Sequence, residues 1–423
     1  MHNRSNSHIF DYIVIGKGLM GAAAVRYLSQ LTPNVAVVGP DEPAEWANYP
    51  GDWASPPGVF ASPPGVFASP PGVFASHYDQ GRITRRLSDD AVWSALAQRA
   101  IGQYAYLEKA SGLSFYWPVG GLYVAPHGSD AAYLTAVAAI GQRFSLDFTL
   151  YATPAELKQA DARLHFPTHC HGLLEPPPAG YINPRGLLRA QLTIAAQQGA
   201  RVVAETVTAV THHPHAVAIT TDVGRVLWAH KVLIAAGAFA NCYDLLPQKL
   251  DLRVKSETIL LARLPEAEAA RLRGLPTVLY QIESPHLDGI YLLPPIEYPD
   301  GRIYLKMGCN TAADRWLPDL EAMRDWMIGG DSDVMLEPMR AALQSMIPGL
   351  EAEAYHTHRC LVAYTAHGKP YVDQLTERVY VATGGNGTSA KCSDTLGWLA
   401  ANLMQTGGWS LTFDRALFEA RFA

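Results

Sequence analysis

The stretch Gly16-Lys17-Gly18-Leu19-Met20-Gly21 constrains this chain more than any other. It follows Phe10 to Ile15, a short β-branched run that reads as a buried strand. It opens Leu19 to Leu31, which reads as a helix, and Val35 to Val38 reads as a second strand. Strand, glycine loop, helix and strand in that order is the context in which this glycine spacing binds a dinucleotide. Gly16 permits the tight turn, Gly18 lets the backbone approach a pyrophosphate, and Gly21 lets helix and strand pack closely. Leu19 and Met20 form the helix start, whose N–H groups attract the anion. An acidic residue usually ends the second strand and holds the ribose hydroxyls, but Gly39 stands at that place. Asp41 or Glu42 is expected to reach back instead. The loop alone does not separate FAD from NAD.

Composition narrows the partners. The net charge is −6 and the lysines and arginines are not clustered, so no nucleic-acid surface is expected. No apolar run reaches the length of a membrane span, about 18 residues. Met1 to His8 is polar and lacks a signal-peptide core, which reads as a cytoplasmic protein. The five cysteines are scattered without a CxxC pair, so neither a disulfide framework nor a zinc site is indicated. His165-x-x-x-His169-Cys170-His171 is the densest ligand cluster, and its spacing matches no metal-site pattern, so no metal is expected.

Residues 55–75 repeat Ser-Pro-Pro-Gly-Val-Phe-Ala three times in tandem. Six prolines forbid a helix, and glycine every seventh residue is not collagen. The repeat reads as an expanded surface loop; the alternative is a lid in which Phe60, Phe67 or Phe74 covers a pocket. Beyond it, helices are expected over 89–110, 184–198, 319–327 and 395–404. Asn183 caps the second of these and Pro184 opens it. Strands are expected within 115–124, at 201–204, 217–221 and 231–235, antiparallel over 278–293 and 302–308, and at 379–383. The fold class is α/β: a discontinuous Rossmann-like dinucleotide domain with a second, antiparallel-sheet α+β substrate domain. The first is expected over 9–89, 161–241 and 351–423, the second over 90–160 and 242–350.

Two more segments look nucleotide-binding. Val232 to Ala238 is a strand ending in Ala236-Gly237-Ala238, where a close backbone approach is possible, and core packing explains it equally well. Val379 to Lys391 runs from a strand through Gly384-Gly385-Asn386-Gly387-Thr388 into a helix start, offering N–H groups to a polar ring edge. A nicotinamide enzyme rarely needs such a loop at its far end, whereas a flavoprotein grips a long cofactor at both ends. We count Val207 with the cofactor-binding positions.

At this point the chain resembles the FAD-dependent amine oxidases of the D-amino-acid oxidase superfamily. It is most similar to monomeric sarcosine oxidase and its N-methyl amino-acid oxidase relatives. The resemblance rests on five motifs in order: Asp11 to Gly21, Ser76 to Arg85, Tyr304 to Gly308, Cys360 to Asp373 and Gly384 to Lys391. It implies an FAD-dependent oxidase of a carboxylate-bearing secondary amine or amino acid, giving an imine and, with molecular oxygen, hydrogen peroxide. It implies that Arg85 and Lys391 hold the substrate carboxylate, a pairing of fork and point charge suited to that anion. It implies that Arg82 lies beside the flavin ring, that Lys306 activates oxygen, and that Cys360 attaches covalently to the flavin. The family histidine four residues before Arg82 is replaced by Tyr78, with His77 adjacent, and both are kept as catalytic candidates. Asn310 and His367 also depart from the family pattern. The other readings are a flavin dehydrogenase passing electrons to a quinone or carrier, a nicotinamide-dependent Rossmann dehydrogenase, and a non-catalytic flavin-binding protein.

Overall fold

The computed structural model describes residues 8–41, 79–128 and 131–423. Glu42, the tandem repeat, His77 and Tyr78 lie outside the described residues.

The first strand, Ile9–Ile15, sits in the middle of an eight-stranded sheet. It pairs in parallel with Val35–Val38 on one side and Val226–Ile234 on the other. Arg201–Val203 and Val379–Thr383 extend this parallel core outward. Antiparallel strands Val207–His212, Val217–Thr221 and Tyr371–Gln374 complete the sheet. The central strands are buried on both faces, which accounts for their continuous Val and Ile runs. The C-terminal ends of the parallel strands lead into both glycine loops and Ala236-Gly237. That is where ligands bind in open α/β sheets.

Helices Leu19–Ser29, Pro184–Gln197, Ala91–Ser111 and Ser393–Thr406 cover one face. The first and last of these lie very close. A Cβ on Gly397 would sit 2.5 Å from Ala23 Cβ, so Ala22-Ala23-Ala24 serve a helix contact as well as the sheet. A buried polar knot ties three of the helices together. Arg26 Nη2 and Gln191 Nε2 each donate to Asp394 Oδ1 at 2.8 Å, and Tyr27 donates to Asp394 Oδ2 at 2.9 Å. With every partner satisfied, this burial of charge is tolerated.

A nine-stranded, mostly antiparallel sheet forms the second layer. Its spine is the long pair Leu252–Leu264 and Ala354–Thr365, joined along their whole length. Ile303–Thr311 and Leu287–Glu297 follow on the other side. A small third sheet, Arg82–Thr84 with Gly180–Ile182 and Tyr116–Trp117, completes the fold. The fold class expected from sequence, an α/β dinucleotide-binding unit with an antiparallel partner, is the one observed.

Sheet membership cuts the chain at other points than the expected segments. Helix Ala91–Ser111 packs with the first sheet's helices, while strands Cys170–Glu175 and Ala354–Thr365 join the second sheet. The 252–264 and 354–365 strands escaped the sequence reading because charged and polar residues interrupt their apolar pattern. No helix among the described residues is long and apolar enough to cross a membrane. Of the histidine cluster, His169 pairs with Glu283 at 2.7 Å and His171 stacks on His127. No three potential ligands converge on a metal position among the described residues.

Candidate functional site

One continuous cavity of about 370 Å³ runs from the N-terminal glycine loop to Cys360 and Lys391. Its first end is built from backbone. Gly16 has φ +94°, and a Cβ there would lie 2.5 Å from the Ala235 carbonyl oxygen. A Cβ on Gly21 would lie 1.9 Å from Gly16 O. These two glycines let the strand ends and helix close on each other. Gly18 and Gly237 are different: a Cβ on either would meet nothing within 4 Å. Their open sides, with Leu19, Met20, Val207 and Ala236, line the cavity.

Gly39 has a local reason to be glycine. A Cβ there would lie 2.8 Å from Lys17 Cγ. Lys17 in turn pairs with Asp41, whose side chain is exposed. Asp41 is therefore turned to Lys17 and is not on the cavity wall, contrary to the expectation that it reaches the ribose position.

The far end is shaped by the loop after Val379–Thr383. Gly384 and Gly387 both have positive φ, and a Cβ on Gly384 would lie 2.1 Å from Thr365 Cγ2. Asn386, itself at φ +48°, pins this loop: its Oδ1 accepts from Thr365 N at 3.0 Å and its Nδ2 donates to Gly384 O at 2.9 Å. Gly384, Gly385, Gly387 and Thr388 line the cavity, whereas Asn386 shapes the loop from behind.

Charged side chains cluster at this end. Arg85 donates to Leu87 O and lies 5.5 Å from the centre of the Tyr123 ring. Lys391 is buried, donates to Thr388 O at 2.9 Å and lies 5.8 Å from the centre of a Trp93 ring. Burial, with the nearby positive charge of Arg85, holds the Lys391 ammonium down to about 8. Neither cation pairs with a carboxylate among the described residues.

Arg82 is on the same wall but is already engaged, pairing with Asp79 and donating to Gly81 O at 3.0 Å. Its Nη2 also lies 3.8 Å from Cys360 Sγ. Burial pushes the Cys360 thiol up to about 11, while Arg82 works in the opposite direction.

Lys306 stands behind the wall and does not line it. It is fully buried, donates to Gly81 O at 2.8 Å, pairs with Asp79 and lies 5.2 Å from the centre of the Tyr291 ring. Burial and then the charge of Arg82 bring its ammonium down to about 8. Asp79 takes up both cations and accepts from Tyr298 at 2.8 Å. Burial alone would raise the Asp79 carboxyl, but Lys306 and Arg82 hold it well below the usual range.

Sequence reading missed Asp79, Glu257, Tyr291 and Tyr298. Asp79 lay within a quoted motif. Glu257 and Tyr291 carried no local signal, because only the pairing of distant strands brings them to the cavity.

The sequence model of the FAD dependent oxidoreductase family (DAO) matches residues 11–403. No curated protein matches the chain. Among solved structures, NikD, described as an unusual amino acid oxidase essential for nikkomycin biosynthesis, is similar at 18% identity and TM-score 0.76. That match covers 99% of this chain and 98% of NikD. L-proline dehydrogenase from P. horikoshii is 16% identical at TM-score 0.71, covering 98% of this chain and 97% of its own. Glycine oxidase from Geobacillus kaustophilus is 19% identical at TM-score 0.69, covering 98% of both chains. At these identities the three show the fold. The family match identifies the cofactor as FAD and sets aside the nicotinamide reading. The cavity fits it: two glycine-built cradles at opposite ends of one elongated space suit a cofactor gripped at both ends.

Proposed function

The chain belongs to the FAD-dependent oxidoreductase family, and from that premise we propose an oxidase of a carboxylate-bearing secondary amine or amino acid. The observation that carries this reading is the pair Arg85 and Lys391. Both sit on the wall of the cofactor cavity, deep in the protein, without an ion-paired carboxylate among the described residues. A buried cation without an anion is costly, and a ligand carboxylate removes that cost.

FAD, when bound, accepts two electrons from the substrate C–N bond. The chain's own residues do the rest. Arg85 presents a planar fork and Lys391 a point charge, which together fix one end of the substrate. Removal from water strengthens both contacts. Gly16, Gly18, Gly384, Gly385, Gly387 and Thr388 hold the cofactor through backbone. Cys360, with Arg82 favouring its thiolate, is the attachment point for a covalent link. Lys306 supplies a positive charge behind the wall that favours negative charge on oxygen, so the products are an imine and hydrogen peroxide.

The test is a panel of amino acids and secondary amines read as anaerobic bleaching of the flavin, followed by peroxide yield under air. Bleaching by carboxylate-bearing amines with stoichiometric peroxide is the expected result. A flavin that no amine bleaches refutes the reading. One observation favours a second reading, a dehydrogenase that passes electrons to a quinone or carrier: Lys306 is off the wall and already paired with Asp79. Dye reduction without peroxide would select it.

A further inference from the structure

Among the described residues Glu257 is the one acidic residue on the cavity wall, and nothing in the carboxylate-oxidase scheme uses it. It belongs to strand Leu252–Leu264 and lies directly across from Cys360 in the antiparallel pair. It is deep in the protein yet keeps some accessible surface, which is the surface it presents to the cavity. Its neighbours are polar and titratable on every side. Lys255 flanks it on its own strand, Arg82 and Lys306 approach from two others, and Tyr291, Cys309, Cys360 and Tyr364 also act on it.

The cations around Glu257 have other anions. Lys255 donates to Asp314 Oδ2 at 2.8 Å, and Arg82 and Lys306 both pair with Asp79. Among the described residues Glu257 therefore has no ion pair of its own. Its hydrogen-bond partner is the Tyr291 hydroxyl, which donates to Oε1 at 3.2 Å. A carboxylate can accept about four hydrogen bonds, so among the described residues most of its acceptor capacity is unfilled.

We propose that Glu257 receives the substrate's ammonium group, so that the cavity recognises an amino acid by two charges of opposite sign. Arg85 and Lys391 take the carboxylate; Glu257 takes the nitrogen. This inference rests on the carboxylate reading of those two cations. It also answers a chemical need, because only a neutral amine releases electrons. When the proton crosses, one ammonium N–H bond breaks and one Glu257 O–H bond forms, leaving a neutral amine beside a neutral carboxylic acid. Burial raises the Glu257 carboxyl, which makes it the better proton acceptor. The bond from Tyr291 orients the acceptor.

The test uses two non-oxidisable probes of nearly equal shape on the holoenzyme. In 2-methylalanine the ammonium is present and there is no α-hydrogen to lose; in 2,2-dimethylpropanoate a methyl group replaces the ammonium. Binding is read as perturbation of the flavin absorbance. Glu257→Gln keeps the side-chain length and can still accept from Tyr291. It should weaken 2-methylalanine at least about tenfold, the worth of one charged hydrogen bond, and leave 2,2-dimethylpropanoate unchanged. With a bleaching substrate, the rise in anaerobic reduction rate with pH should also lose its Glu257 limb. If the variant binds both probes as the native protein does, or loses both equally, Glu257 does not read the nitrogen and the proposal falls. If native protein binds neither probe, the carboxylate anchor fails and takes this inference with it.

Discussion

Carboxylate binding should weaken at alkaline pH because of Lys391. In the ligand-free chain its ammonium is held at about 8 by burial, with Arg85 adding to the effect. A carboxylate ligand pairs with the charged form. Below that pH the charge is already present and affinity is flat. Above it, each pH unit demands about 1.4 kcal/mol to restore the proton, so Kd rises about tenfold per unit. Two units above, the loss is about a hundredfold, or about 2.7 kcal/mol, until pH passes the higher pKa of the complex. Arg85 stays charged throughout and adds no slope. Lys391→Met should bind the same ligand about 10- to 150-fold more weakly near neutral pH, the worth of a charge-assisted hydrogen bond at about 1.5–3 kcal/mol. In that variant the pH slope should vanish. The second perturbed lysine, Lys306, is controlled by the same comparison, since it is intact in both proteins. The assay is a titration of holoenzyme with 2,2-dimethylpropanoate across a pH series, following the flavin spectrum. A native affinity that stays flat through this range refutes the reasoning, and so does a slope that survives in Lys391→Met.

Asp79→Asn leaves Lys306 and Arg82 buried against a neutral amide. It should lower unfolding free energy in urea by about 3–5 kcal/mol. Because the native Asp79 carboxyl is depressed, its contribution is present above its unfolded value of about 4 and is lost as pH falls below that, a loss the variant should not show. A variant within about 1 kcal/mol of native at neutral pH would show that the ion pairs matter little. Gly16→Ala places a Cβ 2.5 Å from a backbone oxygen at positive φ, so the purified protein should be colourless; normal flavin content would mean the turn relaxes. Yellow colour should stay with acid-precipitated native protein and pass to the supernatant in Cys360→Ser. Free flavin from the native protein would end the covalent assignment. Lys306→Met should slow reoxidation by oxygen at least about tenfold in stopped flow while anaerobic reduction continues, the scale expected for removing a charge from a dry site; an unchanged oxygen reaction removes Lys306 from that role.

The parts of this protein legible in its sequence are those where backbone makes the demand. Gly16, Gly21, Gly384 and Gly387 had to be glycine because another chain segment or a positive φ leaves no alternative. Such demands write short motifs. The helix at Pro184–Gln197 was legible for the same reason, since its Asn183 cap and first proline act within four residues. The misplaced element was Asp41. Its expected role depended on the ribose position, but Lys17, 24 residues earlier in chain order and packed against Gly39, claims its charge. The residues without any signal were those placed by pairing between distant strands. Glu257 faces Cys360 across 103 positions of chain because their strands share one register. No local pattern encodes that.

The charges left over after such pairings define the site more sharply than the charges themselves. Arg26 has Asp394, Arg86 has Glu175, Lys255 has Asp314, and Arg82 and Lys306 share Asp79. Each of these cations already has a carboxylate partner within the fold, one of them shared, and would be held there in a protein that bound nothing. Arg85 and Lys391 on one part of the wall, and Glu257 on another, have no ion-pair partner among the described residues. A folded chain holds unbalanced charges in a buried cavity only against a cost of desolvation. The proposed ligand, carrying the opposite charges in the matching order, would offset that cost. An α-amino acid, with its carboxylate and ammonium on one carbon, is the simplest molecule that carries both. A neutral amine would leave Arg85 and Lys391 unmatched, and a simple carboxylate would leave Glu257 unmatched. On the proposed reading, a molecule carrying both charges should therefore bind more tightly than either half offered separately.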